Sequence, residues 1–188
     1  MTLLERLKIE TRPAHDRIEA AIDLDRRIAS RDAYRDLLIR FYGFHTAWES
    51  EAAGRIADRD FFQSRCKTQL LARDLEALGL KSDDIIRLPQ CRPLMPLPAP
   101  EAVLGSMYVV EGSTLGGAII ARDVENRLGL TAETGCAYFR SYGRDIAAMW
   151  KSFGAVLLEA SSPEADDLIV ESAQKTFTVM HDWLCETP

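Results

Sequence analysis

The chain has 188 residues, of which 47% are hydrophobic and 28% charged, and its formal net charge is −6 at pH 7. This size and composition are typical of an ordinary globular protein, and we expect one domain over residues 1–188. The negative charge argues against a nucleic-acid partner and against a polybasic membrane anchor.

The first residues and the cysteines both favour a cytoplasmic location. Charges at positions 5, 6, 8 and 10 interrupt the apolar core that a signal peptide needs. The apolar runs fall short of the roughly 20 residues of a membrane span. The four cysteines are widely spaced and form no CxxC pair, so we predict reduced thiols rather than zinc ligands.

Apolar residues recur with helical spacing through the first half of the chain. We predict a helix over residues 2–22, disturbed near its middle by Pro13. A second helix starts at the cap Ser30-Arg31-Asp32 and runs to about residue 56. A third covers residues 60–78 and ends at Gly79, and a short one covers residues 82–87.

The segment 88–100 holds five of the eight prolines, so we predict an extended strap rather than a helix. A glycine-containing helix follows over residues 101–128. After an irregular segment at 131–143, we predict helices over residues 144–160 and 164–184. No strand pattern is found, and the predicted fold is all-α, a single-domain helical bundle.

Among the three histidines, His15 has the most informative neighbours. Glu19 lies four residues later on the same helix face, and a metal-ligating imidazole needs such a partner for its second N–H. Arg12 and Lys8 continue the stripe, and two cations suit a ligand with carboxylates, such as haem. A solvated helix face with paired charges explains the same spacing. We interpret His45 and His181 as packed or surface histidines.

Four glycines interrupt the most hydrophobic helix, in the stretch "GSMYVVEGSTLGGAII" at residues 105–120. A glycine inside a helix costs about 1 kcal/mol relative to alanine. Either a neighbouring helix or a flat ligand must therefore approach this backbone closely. The pattern matches no Rossmann, P-loop or nucleophile-elbow motif.

Two stretches together resemble the haem oxygenases, in particular the bacterial, biliverdin-producing type associated with bacteriophytochromes. "TRPAHDRIE" resembles the proximal helix of that family, and "YVVEGSTLGGAIIAR" resembles its distal helix. The length, the helical pattern and the order of the elements agree as well. The resemblance covers most of the chain.

The resemblance implies a haem site with His15 as the iron ligand and Glu19 as its partner. It places Gly112, Gly116 and Gly117 against the distal haem face, with Ser113 where many members carry an aspartate. A serine holds water but supplies no negative charge. The remaining residues implied to contact the haem are Lys8 and Arg12 near the propionates, Tyr108 and Phe177 in the pocket, and Lys151 or Arg140 near a propionate.

The implied reaction uses haem as both cofactor and substrate. O2 binds on the glycine side, a meso carbon of the porphyrin is oxidised, and the ring opens to biliverdin, ferrous iron and CO. The chain has no flavin or nicotinamide motif, so an external donor such as a ferredoxin or a reductase must supply electrons. A bacteriophytochrome that accepts biliverdin is a further candidate partner, and the sequence leaves that link open.

Other classes of protein remain as alternatives. A haem-binding carrier or sensor without turnover would share these motifs. A di-iron carboxylate enzyme needs Glu-x-x-His pairs, and Tyr42 and Thr178 stand three residues before His45 and His181. A helical interaction module would not depend on His15 at all. The net charge favours a monomer.

Overall fold

The structure is a computed structural model and describes residues 1–92 and 94–185. Within these ranges every regular element is helical. The helices are α1 (Leu3–Ile22), α2 (Leu24–Arg27), α3 (Arg31–Ala52), α4 (Arg59–Gln63), α5 (Thr68–Ala77), α6 (Ser82–Ile85), α7 (Pro100–Leu128), α8 (Ala137–Arg140), α9 (Ile146–Glu159) and α10 (Pro163–Cys185). The predicted all-α bundle is confirmed.

Helices α1 and α3 both begin at side-chain caps, and the cap predicted at Ser30 is confirmed. Thr2 and Glu5 form a reciprocal capping box at the start of α1, and the Ser30 hydroxyl accepts a hydrogen bond from Ala33 N at 3.1 Å. Helix α1 continues through Pro13, so the proline does not end it. Helix α3 ends at Ala52, earlier than the sequence predicts.

The single helix predicted over residues 60–78 is wrong, because α4 and α5 are separate. At the break, the backbone N–H groups of Lys67 and Thr68 both donate to the carboxylate of Glu49 on α3, the latter at 2.9 Å. A side chain from another helix thus satisfies the donors that a new helix start leaves free. Local spacing contains no sign of this partner.

The proline-rich strap has no helix between α6 and α7, as predicted; residue 93 lies outside the described residues. Cys91 N donates to the carbonyl of Gly43 at 3.1 Å, which ties the strap to α3. Its side chains Met95 and Leu97 are buried. The segment predicted as irregular, 131–143, contains the short helix α8.

Helix α10 packs on α7 and α1 and holds the centre of the bundle together. Gly105 of α7 lies so close to the carbonyl of Ile169 on α10 that a Cβ atom would overlap it. Helix–helix packing is therefore the reason for this glycine.

Helix α7 has the length and the mean hydropathy of a membrane span. In its most apolar window, 56% is buried inside the protein. Because α10, α8 and α9 pack against it, its apolar composition is accounted for by its place in the core.

Candidate functional site

A cavity of about 310 Å³ lies between α1 and α7 and is closed by α8, α9 and α10. Its volume is at the lower end of the usual range for small-molecule sites. Ten of the twelve site residues predicted from the sequence line it: Lys8, Arg12, His15, Glu19, Tyr108, Gly112, Ser113, Gly116, Gly117 and Phe177. Tertiary structure thus brings the two predicted helices to opposite sides of one cavity.

His15 lies on the α1 wall with its imidazole partly exposed. Its Nδ1 atom is buried and makes no hydrogen bond, although carboxylate oxygens of Glu19 and Asp16 each lie 3.5 Å away. The ring of Phe177 meets the imidazole edge to face, with the centroids 6.0 Å apart. With Nδ1 beside the carboxylates, Nε2 is the nitrogen available to a ligand.

Lys8 and Arg12 form the basic end of the α1 wall. The Arg12 Nε atom lies 2.7 Å from a carboxylate oxygen of Asp16, and its side chain is 67% exposed. This pairing is at the surface and is therefore weak. A carboxylate ligand entering the cavity could compete for the guanidinium.

The three cavity glycines of α7 differ in their surroundings. A Cβ atom at Gly116 would have no atom within 4 Å, and one at Gly112 would lie 3.8 Å from the Trp150 ring. A Cβ atom at Gly117 would lie 3.1 Å from the carbonyl oxygen of Phe139. Gly116 therefore leaves backbone open to the cavity, whereas Gly117 also permits α8 to pack on α7.

The hydroxyl groups beside these glycines bond to their own helix. Ser113 Oγ donates to Val110 O at 2.7 Å, and Thr114 Oγ1 donates to Glu111 O at 2.7 Å. Both residues line the cavity. Their oxygen lone pairs remain available as acceptors.

The structure does not bring Lys151 or Arg140 to the cavity wall formed by the described residues. Lys151 is exposed on α9, where its neighbour Trp150 lines the cavity instead. Arg140 is ion-paired with Glu125. Adjacent residues on a helix point about 100° apart, so with Trp150 facing the cavity, Lys151 points away from it.

The other two histidines lie away from the α1 wall. His45 is 1% exposed, and its Nε2 lies 3.1 Å from the hydroxyl of Tyr138. Burial lowers the His45 pKa to about 3. The Nδ1 atom of His181 lies 2.9 Å from a carboxylate oxygen of Asp182 at the surface.

Sequence reasoning missed the polar groups on the inner side of the cavity. Lys67 and Tyr138 line it, although Lys67 is only 2% exposed and Tyr138 only 7%. Glu111 lies behind them and is 1% exposed. A glutamate in the middle of the apolar helix α7 was the one signal of this group in the sequence.

The fold and the cavity define a class of all-helical protein in which a histidine-bearing helix faces a glycine-bearing helix across a ligand cavity. The family model of haem oxygenase (heme oxygenase) matches residues 1–186. The chain therefore belongs to the haem oxygenase family. Membership supports haem degradation, by an oxidoreductase that acts on haem, as its general function.

Individual relatives agree with this family. A haem oxygenase of Xanthomonas campestris pv. campestris is 29% identical over 158 residues, covering 81% of this chain and 89% of that protein. The haem oxygenase structure from Neisseria meningitidis superposes with a TM-score of 0.77 at 21% identity, covering 98% of this chain and 90% of that one.

A structure with bound haem is similar in fold as well. Haem oxygenase-1 from Synechocystis sp. PCC 6803 in complex with haem gives a TM-score of 0.68 at 18% identity, covering 98% of this chain and 91% of that chain. At this identity the likeness establishes the fold alone.

Proposed function

We propose that this protein is a haem oxygenase that uses O2 and external electrons to cleave haem to biliverdin, ferrous iron and CO. The observation that carries the proposal is the pairing across one cavity of the His15 imidazole, with its buried Nδ1 beside Glu19, and the open backbone at Gly116. A ligand with a metal at its centre and two flat faces fits this arrangement. Haem is such a ligand.

His15 binds the haem iron through Nε2. Glu19 accepts a hydrogen bond from Nδ1–H, which fixes the tautomer and makes the imidazole a better ligand. Bound in this way, haem supplies the iron that activates O2 and is also the molecule that is oxidised. A neutral imidazole favours this use of oxygen over the strong electron release of a thiolate ligand.

Lys8 and Arg12 hold the propionates at the basic end of α1. Arg12 leaves Asp16 to pair with a propionate. Because Arg12 and Asp16 are both exposed, breaking their ion pair costs little free energy. Phe177 fixes the imidazole plane from α10, and Tyr108 contributes to the cavity wall beside Trp150.

Gly112 and Gly116 let the second haem face lie against the backbone of α7, and Gly117 brings α8 close behind it. With haem bound, the open backbone at these glycines would leave only a narrow space for O2 beside α7. Ser113 orders water there through its hydroxyl oxygen. Such water would deliver the protons that the reaction consumes to the glycine side of the cavity.

The electrons come from a separate donor, a ferredoxin or a reductase, and a bacteriophytochrome is the proposed acceptor of biliverdin. We place the reaction in the cytoplasm, in keeping with the four cysteines, none of which forms a disulfide bond in the described part of the chain.

The test is a haem titration followed by turnover. Haem is added to the purified protein until the Soret band saturates, then ascorbate or a reductase is added in air, and the pigment is separated by chromatography. We expect the Soret band to disappear while biliverdin and CO form. A Soret band that persists without any bilin identifies a carrier or sensor and overturns the proposal.

A further inference from the structure

A group of buried charges lies behind the glycine-bearing helix, on the inner side of the cavity. Arg65, Lys67 and Glu111 are 4%, 2% and 1% exposed. Arg65 Nε lies 3.4 Å from Glu111 Oε2, and the Tyr142 hydroxyl donates to Glu111 Oε1 at 2.6 Å. Removing so many charged groups from water lowers the free energy of unfolding unless the charges are paired or hydrogen-bonded.

Lys67 is the member of this group that faces the cavity. Its Nζ atom lies 4.0 Å from Glu111 Oε1 and 3.6 Å from the centre of the Tyr142 ring. The first distance is too long for a hydrogen bond and the second is a cation–π contact. The ammonium therefore keeps donor capacity for something inside the cavity.

The surroundings of Lys67 are rich in buried polar atoms without a hydrogen bond. Among the described residues these atoms include His45 Nδ1, Thr68 Oγ1 of the next residue in the chain, and Arg65 Nε and Glu111 Oε2, which face each other as an ion pair at 3.4 Å. In proteins, such atoms are usually satisfied by ordered water. Water is therefore the natural partner of this region.

The positive and negative charges of this buried group are equal in number, and this balance indicates whether Lys67 would bind an anionic or a neutral ligand. Lys67 and Arg65 are balanced by Glu111 and by Glu49, whose carboxylate accepts the Lys67 backbone N–H. A second negative charge, such as a haem propionate, gains little from a neutral group. A neutral ligand, water or O2, suits the ammonium better.

We propose that Lys67 is a positioning residue on the oxygen side of the haem cavity: its ammonium orders water between itself, Ser113 and Tyr138, and through that water acts on the ligand opposite His15. This inference rests on the proposed function, because it takes the glycine side as the oxygen side. Lys67, Ser113 and Tyr138 all line the cavity.

The charge of Lys67 depends on pH. Burial, opposed by Glu111 and Glu49 and assisted by Arg65, lowers the Lys67 pKa to about 8. The titratable groups that face it are Glu49 and His45 on α3, Arg65 and Cys66 beside it in the chain, Glu111 on α7 and Tyr142 after α8. His45 stays neutral there, since burial lowers its pKa to about 3.

The first test is the acid–alkaline transition of the ferric haem complex, followed by its absorption spectrum against pH. Lys67→Met and Lys67→Gln remove one of the two cations that balance Glu111 and Glu49, so the group becomes net negative. A net negative charge disfavours the loss of a proton from nearby water, and the transition should rise by about 1 pH unit. Lys67→Arg should restore it. The matched control is Lys175→Met, which removes an exposed ammonium paired with Glu171 on α10 and should change nothing.

The second test needs no substitution. The side-chain Cε and Nζ nuclei of the lysines are labelled and compared in complexes with iron and with gallium protoporphyrin. Unpaired electrons of the iron should broaden the Lys67 signals, the diamagnetic gallium complex should keep them sharp, and Lys175 should be sharp in both. Circular dichroism of each variant separates misfolding from a changed transition.

The outcomes separate this inference from the proposed function. Unchanged transitions in folded Lys67 variants, or sharp Lys67 signals in the iron complex, overturn the role of Lys67 and leave haem cleavage untouched. A wild-type protein that binds haem but forms no biliverdin overturns the proposed function. If its transition still shifts on Lys67→Met, the placement of Lys67 stands.

Discussion

The Nδ1 atom of His15 lies 3.5 Å from a carboxylate oxygen of Glu19, one helical turn further along α1. Asp16 presents a second carboxylate oxygen at 3.5 Å from the same nitrogen. The distance is slightly longer than a hydrogen bond, and a small rotation of the imidazole would close it. The pair is ready to orient the ring when a metal occupies Nε2.

His15→Ala is expected to weaken haem binding by at least about 10-fold, because the iron loses its protein ligand. Folding should change little, since the side chain is 45% exposed. A haem titration at the Soret band and a thermal melt measure the two effects. His181→Ala removes a histidine paired with Asp182 and serves as the control; equal haem affinity in both variants would contradict the assignment.

Glu19→Gln is expected to weaken the iron–imidazole bond, because a neutral amide oxygen is a weaker hydrogen-bond acceptor for Nδ1–H than a carboxylate. The single change should have a modest effect, since Asp16 is equally close to Nδ1. The double variant with Asp16→Asn should lower haem affinity by about 10-fold. Resonance Raman spectra of the ferrous complex report the bond directly.

The control for Glu19→Gln is Glu10→Gln on the same helix. Glu10 is paired with Arg6 at 2.8 Å. Its substitution by glutamine should leave the iron–imidazole stretching frequency unchanged. A double variant with the wild-type frequency would show that the carboxylates do not act on His15.

Gly116→Val is expected to keep the fold and to impair the site. A Cβ atom there meets nothing within 4 Å, and valine favours a helix over glycine by about 0.4 kcal/mol. The added methyl groups fill the space proposed for haem, which should weaken haem binding by about 10-fold or change the biliverdin isomer. Soret titration and chromatography of the product measure both; normal affinity and product would mean that Gly116 does not face the haem.

Gly105→Ala should destabilise the fold, in contrast to Gly116→Val. Its Cβ atom would overlap the Ile169 carbonyl of α10, so the two helices must move apart at a cost of about 1–3 kcal/mol. Urea unfolding of the apoprotein gives this loss in the free energy of unfolding. Wild-type stability would mean that α7 and α10 do not approach as closely as the structure has them.

The buried His45 should make the protein less stable in acid. Its pKa is about 3 in the folded protein and about 6.5 when unfolded, so between these values the unfolded chain binds one more proton. Above pH 6.5 the neutral His45 imidazole does not lower the free energy of unfolding. As the pH falls below 6.5, the free energy of unfolding decreases by up to about 1.4 kcal/mol per pH unit.

Asp74 opposes this effect, because burial raises its pKa to about 6. The informative quantity is therefore the difference in slope between wild type and His45→Gln, obtained from urea unfolding between pH 4 and pH 7. The variant should lose less stability on acidification. Parallel curves would show that His45 does not stay neutral in the folded protein.

Local spacing predicted much of the fold and one wall of the site. The helical period located α1, α3, α7, α9 and α10 to within a few residues at most ends. The pairing of His15 with Glu19 was predictable too, because residues four apart on a helix share a face. The boundary between α4 and α5 was not, since the Glu49 carboxylate that stabilises it belongs to another helix.

By itself, the sequence determined that the protein is helical, that His15 has an acidic partner, and that α7 tolerates close approach at four glycines. Only the tertiary structure decided what approaches each glycine: α10 at Gly105, α8 at Gly117 and the open cavity at Gly116. It also set Lys67 against Glu111 behind the cavity. The physical reason is the distance along the chain over which each interaction acts. Helix formation depends on neighbours within one turn. A buried charge or a missing Cβ is explained by partners that are far away in the sequence.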